Sequence, residues 1–441
     1  MITVIQLLGG KGTRLAEITK GNIPKPLVEI KEYSILELQI KHLISFGCKD
    51  FIWICHYMSE SFEREKERLL KKYKYSIDSI EIYLEQIPLS TFGSLRNAIK
   101  SREEKEFLVL YGDILINFDL YRFKENFMNF ADSDTHIFTR YSNHPEDSDK
   151  IVINDEGYIT KFISKKESNQ ISDPATTTSG IYLAKKSFFE KLSHWSSQKC
   201  DLYSEVLPKD GFLIKSTAYH STEFILDIGT TSRYKYAEKL IEENSFYRKS
   251  YLFPKPSLLL DRDGVVIKED GYIIDEKQII FNYDLIEVMK YLRSKGILIG
   301  IITNQPLVAQ GRINNFKHEL IKNFIVNYLS KSSAIDFYYE CKHHPEKGFK
   351  DEVPILKYSC YCRKPKTALI QRAIHDHNLD IDKSFFIGDN YTDYIAGETC
   401  NIRSFIYQFS ENRLSNNNNN NEFNTIKRIA NPKEILELFS V

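Results

Sequence analysis

Two aspartates stand two residues apart in SLLLDRDGVV, Asp261 and Asp263, directly after an apolar run that reads as a strand. Side chains at i and i+2 share one side of extended backbone, so the pair offers a nucleophilic carboxylate beside a proton donor. Near the start of the chain, MITVIQLLGGKGTRL leads another apolar strand into Gly9, Gly10 and Gly12. Glycines in that place let backbone N–H groups close on a phosphate chain, and Lys11 and Arg14 add charge where a triphosphate is most negative. The spacing is neither that of a Walker loop nor that of G-x-G-x-x-G. Further on, NIPKPLVEI sets Lys25 between Pro24 and Pro26, on a conformationally restricted segment. Cys341, His343, Cys360 and Cys362 form C-x-H, sixteen residues, then C-x-C. Three sulfurs and one nitrogen suit tetrahedral zinc with no open position, which marks the ion as structural; His344 is the competing nitrogen. The remaining cysteines, Cys48, Cys55, Cys200 and Cys400, are scattered singly.

These groups need scaffolds. A chain of 441 residues with 42% hydrophobic content can build more than one core, which predicts two domains. The first half alternates apolar runs with helical patterns: ITVIQLL, ILELQIKHLI, FIWIC, the charged SFEREKERLLKK, IEIYL and FLVLYGD. The second does the same through SLLLD, ILIGIITN, FKHELIKNFIVNYL, FYYE, TALIQRAIHDH, SFFIGD and SFIYQ. Both alternations predict α/β layers with largely parallel sheets. The boundary is expected in the aromatic, proline-containing stretch 241–256, which leaves a domain over 1–240 and another over 257–441. Asn416–Asn421 reads as a mobile surface loop without chemistry. Sixty basic residues balance sixty acidic ones, so no global field draws the chain to nucleic acid or an anionic membrane. No signal peptide and no long apolar span is visible, so a cytoplasmic protein is expected; homo-oligomer formation is compatible with this reading.

LLGGKGTRLAEITKGNIPKPLVEI resembles the opening signature of the sugar-phosphate nucleotidyltransferases, and further matches run through most of residues 1–240. The resemblance implies a Rossmann-like fold with a mixed sheet and a nucleotide site at Leu8, Gly9, Gly10, Lys11, Gly12, Thr13 and Arg14. EQIPLSTFGS resembles the family's base-lining segment, which adds Glu85, Pro88, Thr91, Gly93 and Ser94; Ser90 and Ser94 stand where the family has glycine and alanine. Gly112, Lys165, Gly180 and Glu205 fall at sugar-phosphate positions. Asp113 and Asp227 fall at the two carboxylates that hold Mg²⁺, a hard cation suited to oxygen donors. Arg14 and Lys25 are then the catalytic cations, stabilising charge as a sugar phosphate attacks the α-phosphorus of a nucleoside triphosphate.

The second half resembles the haloacid dehalogenase-like phosphohydrolases, whose fold is a doubly wound parallel sheet. By that resemblance Asp261 attacks phosphorus and Asp263 protonates the leaving oxygen. Asp261, the backbone carbonyl of Asp263, and Asp389 hold Mg²⁺, with Asp393 four residues beyond. Thr303, Asn304, Arg363 and Lys364 bind the phosphoryl group. DRDGVVIKEDGYI, ITNQ, the loop from ECKHHP to CYCRKP and FIGD are similar to the D-glycero-D-manno-heptose 1,7-bisphosphate phosphatases, with zinc in loop 341–362. Two residues depart from that pattern: Gln310 replaces an arginine and Asn390 a lysine. The first half is most similar to the heptose and mannose 1-phosphate guanylyltransferases. The joint expectation is a bifunctional enzyme that removes the 7-phosphate of a heptose bisphosphate and joins the product to GMP from GTP, yielding GDP-heptose and pyrophosphate. Two other readings stay open: a mannose- or glucose-type nucleotidyltransferase fused to a histidinol-phosphate-type phosphatase, and a non-catalytic sugar-nucleotide sensor fused to a phosphatase.

Overall fold

The computed structural model describes residues 2–9, 15–56, 58–142, 148–167, 174–195, 199–243, 246, 249–268, 271–408 and 426–440. The chain divides into two compact units, one over Met1–Arg140, Asp147–Ser168 and Thr176–Phe253, the other over Tyr141–Glu146, Asn169–Ala175 and Pro254–Val441. Among the described residues no helix is long and apolar enough to cross a membrane.

In the first unit, strand Thr3–Leu7 lies at the centre of a mixed sheet, parallel to Asp50–Cys55 on one side and Glu106–Tyr111 on the other. Ser79–Leu84 extends the parallel part, whereas Thr176–Lys185 runs antiparallel to Glu106–Tyr111 and leads to the hairpin of Lys150–Ile153 and Ile159–Ile163. Side chains alternate between two cores: Val4, Phe51 and Trp53 join one cluster, while Ile5, Ile52 and Ile54 join the other. That is why the strands read as continuous apolar runs. Helix Ile35–Ser45 covers one face, its first turn closed by Ser34, whose side chain accepts from the Glu37 amide. A separate two-stranded pair, Ile114–Asn117 against Phe224–Asp227, sets Asp227 opposite Ile114.

In the second unit six strands are all parallel, in the order Phe337–Cys341, Leu298–Asn304, Ser257–Leu260, Phe385–Gly388, Arg403–Tyr407, Arg428–Ile429. Leu258 and Leu260 face one core and Leu259 the other. The central strand ends at Leu260, one residue before Asp261, and its neighbours end at Asn304, one residue after Thr303, and at Gly388, one residue before Asp389, so the three chain segments deliver side chains to one edge. In parallel α/β sheets that carboxyl edge is where ligands bind.

Candidate active sites

The first site begins with a register. Because Asp227 sits opposite Ile114, the amide of Ile228 bonds the carbonyl of Asp113 at 2.9 Å, and the two aspartates become neighbours although 114 residues separate them. Lys25, on the short helical turn Lys25–Leu27, is 6% exposed. Its Nζ lies 2.5 Å from Asp113 Oδ2 and 3.5 Å from Asp227 Oδ1. Arg233, in the first turn of helix Thr231–Glu242, donates to the other Asp227 oxygen at 2.6 Å. Beneath the pair, the buried Gln39 amide donates to the carbonyls of Tyr111 and Ile114 at 2.9 and 2.7 Å, and its own oxygen accepts from Gln6 at 2.7 Å. Gln39 thereby brackets the break at Gly112–Asp113. A Cβ at Gly112 would lie 2.4 Å from Leu8 Cδ2, 2.9 Å from the Leu7 carbonyl oxygen and 3.1 Å from Pro26 Cγ, so glycine is what admits the Lys25 turn to the strand end.

Of the expected nucleotide residues, Leu8 and Gly9 follow the central strand, while Gly10, Lys11, Gly12, Thr13 and Arg14 lie outside the described residues. Glu85 is buried, and its Oε1 accepts from the Leu89 amide at 3.2 Å and the Ser94 hydroxyl at 2.5 Å. Pro88 is exposed, and Ser90, Thr91, Gly93 and Ser94 lie on helix Ser90–Ile99. Ser90 has φ +63°, the left-handed region that glycine enters most easily, so the glycine expected there by resemblance would adopt this backbone without strain. Thr91 accepts from the Leu202 amide at 2.8 Å and donates to Asp201 at 2.9 Å, and the Asp201 amide in turn donates to Glu205 at 2.8 Å. Asp201 therefore joins an expected nucleotide residue to an expected sugar residue. Gly180 packs over the Tyr111 ring. Lys165 is exposed on the turn after Ile159–Ile163, its amide donating to Asp149 at 2.9 Å.

In the second site Lys364, 3% exposed, places Nζ 2.8 Å from Asp261 Oδ1, 2.6 Å from Asp393 Oδ1 and 2.8 Å from the Ile302 carbonyl oxygen. Asn304 fixes the backbone around Lys364 by accepting from its amide at 3.0 Å and donating to its carbonyl at 3.2 Å. Burial works against the Lys364 charge, but Asp261 and Asp393 overcome it and hold the ammonium above the ordinary lysine range. Burial also pushes the Asp261 carboxyl up to about 7, against the pull of Lys364. Carboxylate oxygens of Asp261, Asp389 and Asp393 converge within 4.8 Å of one another. Three acidic groups beside one lysine leave negative charge in excess, and an all-oxygen set fits a hard divalent cation. The carboxylate of Asp263 is outside this trio and turned to Arg262 and Gln305. Asp393 was legible only as an acid near the strand end; Arg262 and Gln305 were missed, because the backbone leaves extended geometry at Asp261 and the alternation rule stops there. Gly264, at φ +76°, lies where a Cβ would stand 2.1 Å from Asp389 Oδ2.

Cys341, His343, Cys360 and Cys362 also meet within 4.8 Å. Sulfur separations are 3.2–3.5 Å, and His343 Nδ1 is 3.1 Å from Cys362 Sγ. An ion bonded tetrahedrally to sulfur at ~2.3 Å spaces its donors about 3.7 Å apart, so a small outward relaxation accommodates zinc. His344 is turned to Lys357 and the Glu346 carbonyl instead. Arg363, next to the cluster, donates to the His343 carbonyl at 3.4 Å.

With this geometry in place, the family profile for nucleotidyl transferases matches residues 3–244, more than half of the chain. The chain belongs to the nucleotidyl transferase family. A second profile, HAD-hydrolase-like, matches residues 361–421. A D-glycero-alpha-D-manno-heptose-1,7-bisphosphate 7-phosphatase from Photorhabdus laumondii is 33% identical over 169 residues, 36% of this chain and 90% of the relative. A D-glycero-beta-D-manno-heptose-1,7-bisphosphate 7-phosphatase from Helicobacter pylori is 30% identical over 150 residues, 34% of this chain and 80% of the relative. The mannose-1-phosphate guanylyltransferase catalytic subunit beta of Drosophila pseudoobscura is 29% identical over 228 residues, and the match spans 51% of this chain and 58% of that protein. Among solved structures, HddC from Yersinia pseudotuberculosis complexed with GMP-PN is 24% identical with a TM-score of 0.45, covering 55% of this chain and 100% of that one. The C-terminal region is a HAD-like phosphatase, and the chain is a bifunctional enzyme of sugar-nucleotide synthesis.

Proposed function

We propose that the second unit removes the 7-phosphate of D-glycero-D-manno-heptose 1,7-bisphosphate and that the first transfers GMP from GTP to the resulting heptose 1-phosphate, giving GDP-heptose and pyrophosphate. The observation that carries this is the presence, on one chain, of two lysine–carboxylate centres whose reactions connect: Lys25 between Asp113 and Asp227, and Lys364 between Asp261 and Asp393. The product of a sugar bisphosphate phosphatase is what a nucleotidyltransferase accepts. Guanine as the base and heptose as the sugar come from the names of the relatives; the bound nucleotide would meet Glu85, Pro88, Thr91, Gly93 and Ser94, and the sugar phosphate Gly112, Lys165, Gly180 and Glu205.

In the phosphatase the Asp261 carboxylate attacks phosphorus, the phosphorus–oxygen bond to the sugar breaks, and Asp263 gives its proton to the departing oxygen. Water then attacks the aspartyl phosphate with Asp263 taking its proton, which regenerates the carboxylate and frees inorganic phosphate. Thr303, Asn304, Arg363 and Lys364 hold the phosphoryl oxygens. In the transferase an oxygen of the sugar phosphate attacks the α-phosphorus in line, the α–β bond breaks, and pyrophosphate leaves; Arg14 and Lys25 neutralise the charge that develops. Asp113 with Asp227, and Asp261 with Asp389 and the Asp263 carbonyl, would hold Mg²⁺, which when bound supplies charge neutralisation at phosphate oxygens. Zinc on Cys341, His343, Cys360 and Cys362 would pin the loop that presents Arg363 and Lys364.

The test is incubation with synthetic heptose 1,7-bisphosphate, Mg²⁺ and each nucleoside triphosphate in turn, with the nucleotide sugar identified by mass. GDP-heptose with GTP is expected. A nucleotide sugar formed only with another base or from another sugar phosphate would replace this assignment.

A further inference from the structure

The residue between the two phosphatase aspartates is itself buried and charged. Arg262 is 2% exposed, and its Nε and Nη2 reach the two oxygens of the adjacent Asp263 carboxylate at 2.9 Å each. Neighbours on a strand point to opposite sides. This fork closes because the chain turns after Asp261. Nη2 also donates to Gln305 Oε1 at 2.6 Å, and Gln305 Nε2 donates to Asp263 Oδ2 at 2.6 Å and to Thr303 Oγ1 at 3.0 Å. All three polar positions of the Gln305 amide are thereby used. Rotating the amide by half a turn would set its oxygen against a carboxylate and its NH₂ against a guanidinium, so its orientation is fixed. With Gln305 donating to the Thr303 oxygen, the Thr303 hydroxyl keeps its own hydrogen to donate elsewhere. Behind the ring, the backbone N–H of Gln305 donates to the carbonyl of Cys341 at 2.7 Å.

We propose that Arg262 and Gln305 are positioning residues of the phosphatase: they clamp the Asp263 carboxyl group toward the departing oxygen, with the proton it delivers carried on Oδ1, which accepts only from Arg262 Nε, and they orient the Thr303 hydroxyl toward the phosphoryl group, as one unit. This rests on the reading of Asp263 as proton donor given above. The clamp explains why Asp263 does not collapse onto Lys364 with Asp261 and Asp393, where it would be closer to the cation but useless to the leaving group. A bidentate, two-donor hold also leaves the carboxylate little torsional freedom.

The experiment uses the full-length chain and two esters that differ in what is expelled: heptose 1,7-bisphosphate, whose alkoxide needs a proton, and p-nitrophenyl phosphate, whose phenolate leaves without one. In Gln305→Ala, kcat for the sugar ester is expected to fall about 100-fold and for the aryl ester less than about tenfold, with KM for the sugar ester changed by about threefold or less. Arg262→Lys, which keeps the charge but loses the fork, is expected to show the same split; zinc content and the thermal midpoint establish that each variant is folded. If the lysine variant fails to fold, Gln305→Ala decides alone. Equal losses on both esters, or no loss on either, would overturn the proposal. Failure of the underlying reading has another signature: wild-type chain that releases phosphate from neither ester, or Asp263→Asn that loses equally on both, removes the proton donor and with it the clamp.

Discussion

Lys25 serves two carboxylates with one ammonium, 2.5 Å from Asp113 and 3.5 Å from Asp227, so removing it unbalances the pair and, in the proposed reaction, strips a cation from the phosphates. Lys25→Ala is expected to lower pyrophosphate release by at least about 100-fold while phosphate release by the second unit persists; a coupled pyrophosphate assay beside a phosphate assay on the same preparation checks both halves. At Ser90 the sign is opposite. Its φ of +63° is unfavourable for a side chain, so Ser90→Gly is expected to stabilise the first unit by up to about 1 kcal/mol, read from denaturant midpoints; an unchanged or lower midpoint would show that other contacts of the serine outweigh the backbone term. These two residues also mark what the sequence can and cannot disclose. Lys25, Asp113, Asp261 and Lys364 stand in patterns whose residue types carry their chemistry. Arg233, Gln39, Arg262 and Gln305 are ordinary polar residues by type, and only the register of Phe224–Asp227, the break at Gly112 and the turn after Asp261 bring them together with the expected site residues; Asp201 is brought in as the cap of Leu202–Val206.

At the scale of elements, periodicity located the strands and helices because the strands bury both faces and the helices one. It left open the antiparallel course of Thr176–Lys185, since direction leaves no trace in a run buried on both sides. The loop between Cys341 and Cys362 is a long segment with little regular structure, and four donors within 4.8 Å tie its ends. Chelation of zinc is expected to lower the thermal midpoint of the second unit and abolish phosphate release, and added zinc, but not added Mg²⁺, to restore both; recovery with Mg²⁺ alone would show that the cluster holds no ion that matters. A second element-level consequence concerns acid. His136, on strand Thr135–Tyr141, is fully buried, with its ring stacked on Phe127 at 5.3 Å and Nδ1 2.8 Å from the Thr217 hydroxyl. Burial depresses its pKa to about 3. The unfolded chain takes up the proton near pH 6.5 and the folded one does not, so stability is complete above about pH 6.5 and is lost as pH falls toward 3, by up to about 1.4 kcal/mol per pH unit. Denaturant midpoints followed through the fluorescence of Trp53 and Trp195, both in the first unit, should decline between pH 7 and 4.5, and His136→Gln should flatten that decline whatever its effect at pH 7.

For the whole molecule, the proposed function gives each unit its own catalytic groups, Lys25 with Asp113 and Asp227 in the first and Asp261 with Lys364 in the second. Asp261→Asn should therefore stop at the bisphosphate and Lys25→Ala at the sugar 1-phosphate, and an equimolar mixture of the two variants should make nucleotide sugar again. Mass analysis of the accumulated intermediates checks the order, and a mixture that stays inactive would mean that the intermediate does not reach a second molecule. The close approach at Gly112 has a consequence of another kind. Positions 8, 26 and 112 share a space that lacks room for one more carbon, although they are far apart along the chain. Because the Leu7 carbonyl oxygen on the same side is backbone and cannot be made smaller, divergent descendants of this unit should keep glycine at 112 whatever they carry at 8 and 26, and that one position should mark the lineage as firmly as the glycine-rich opening.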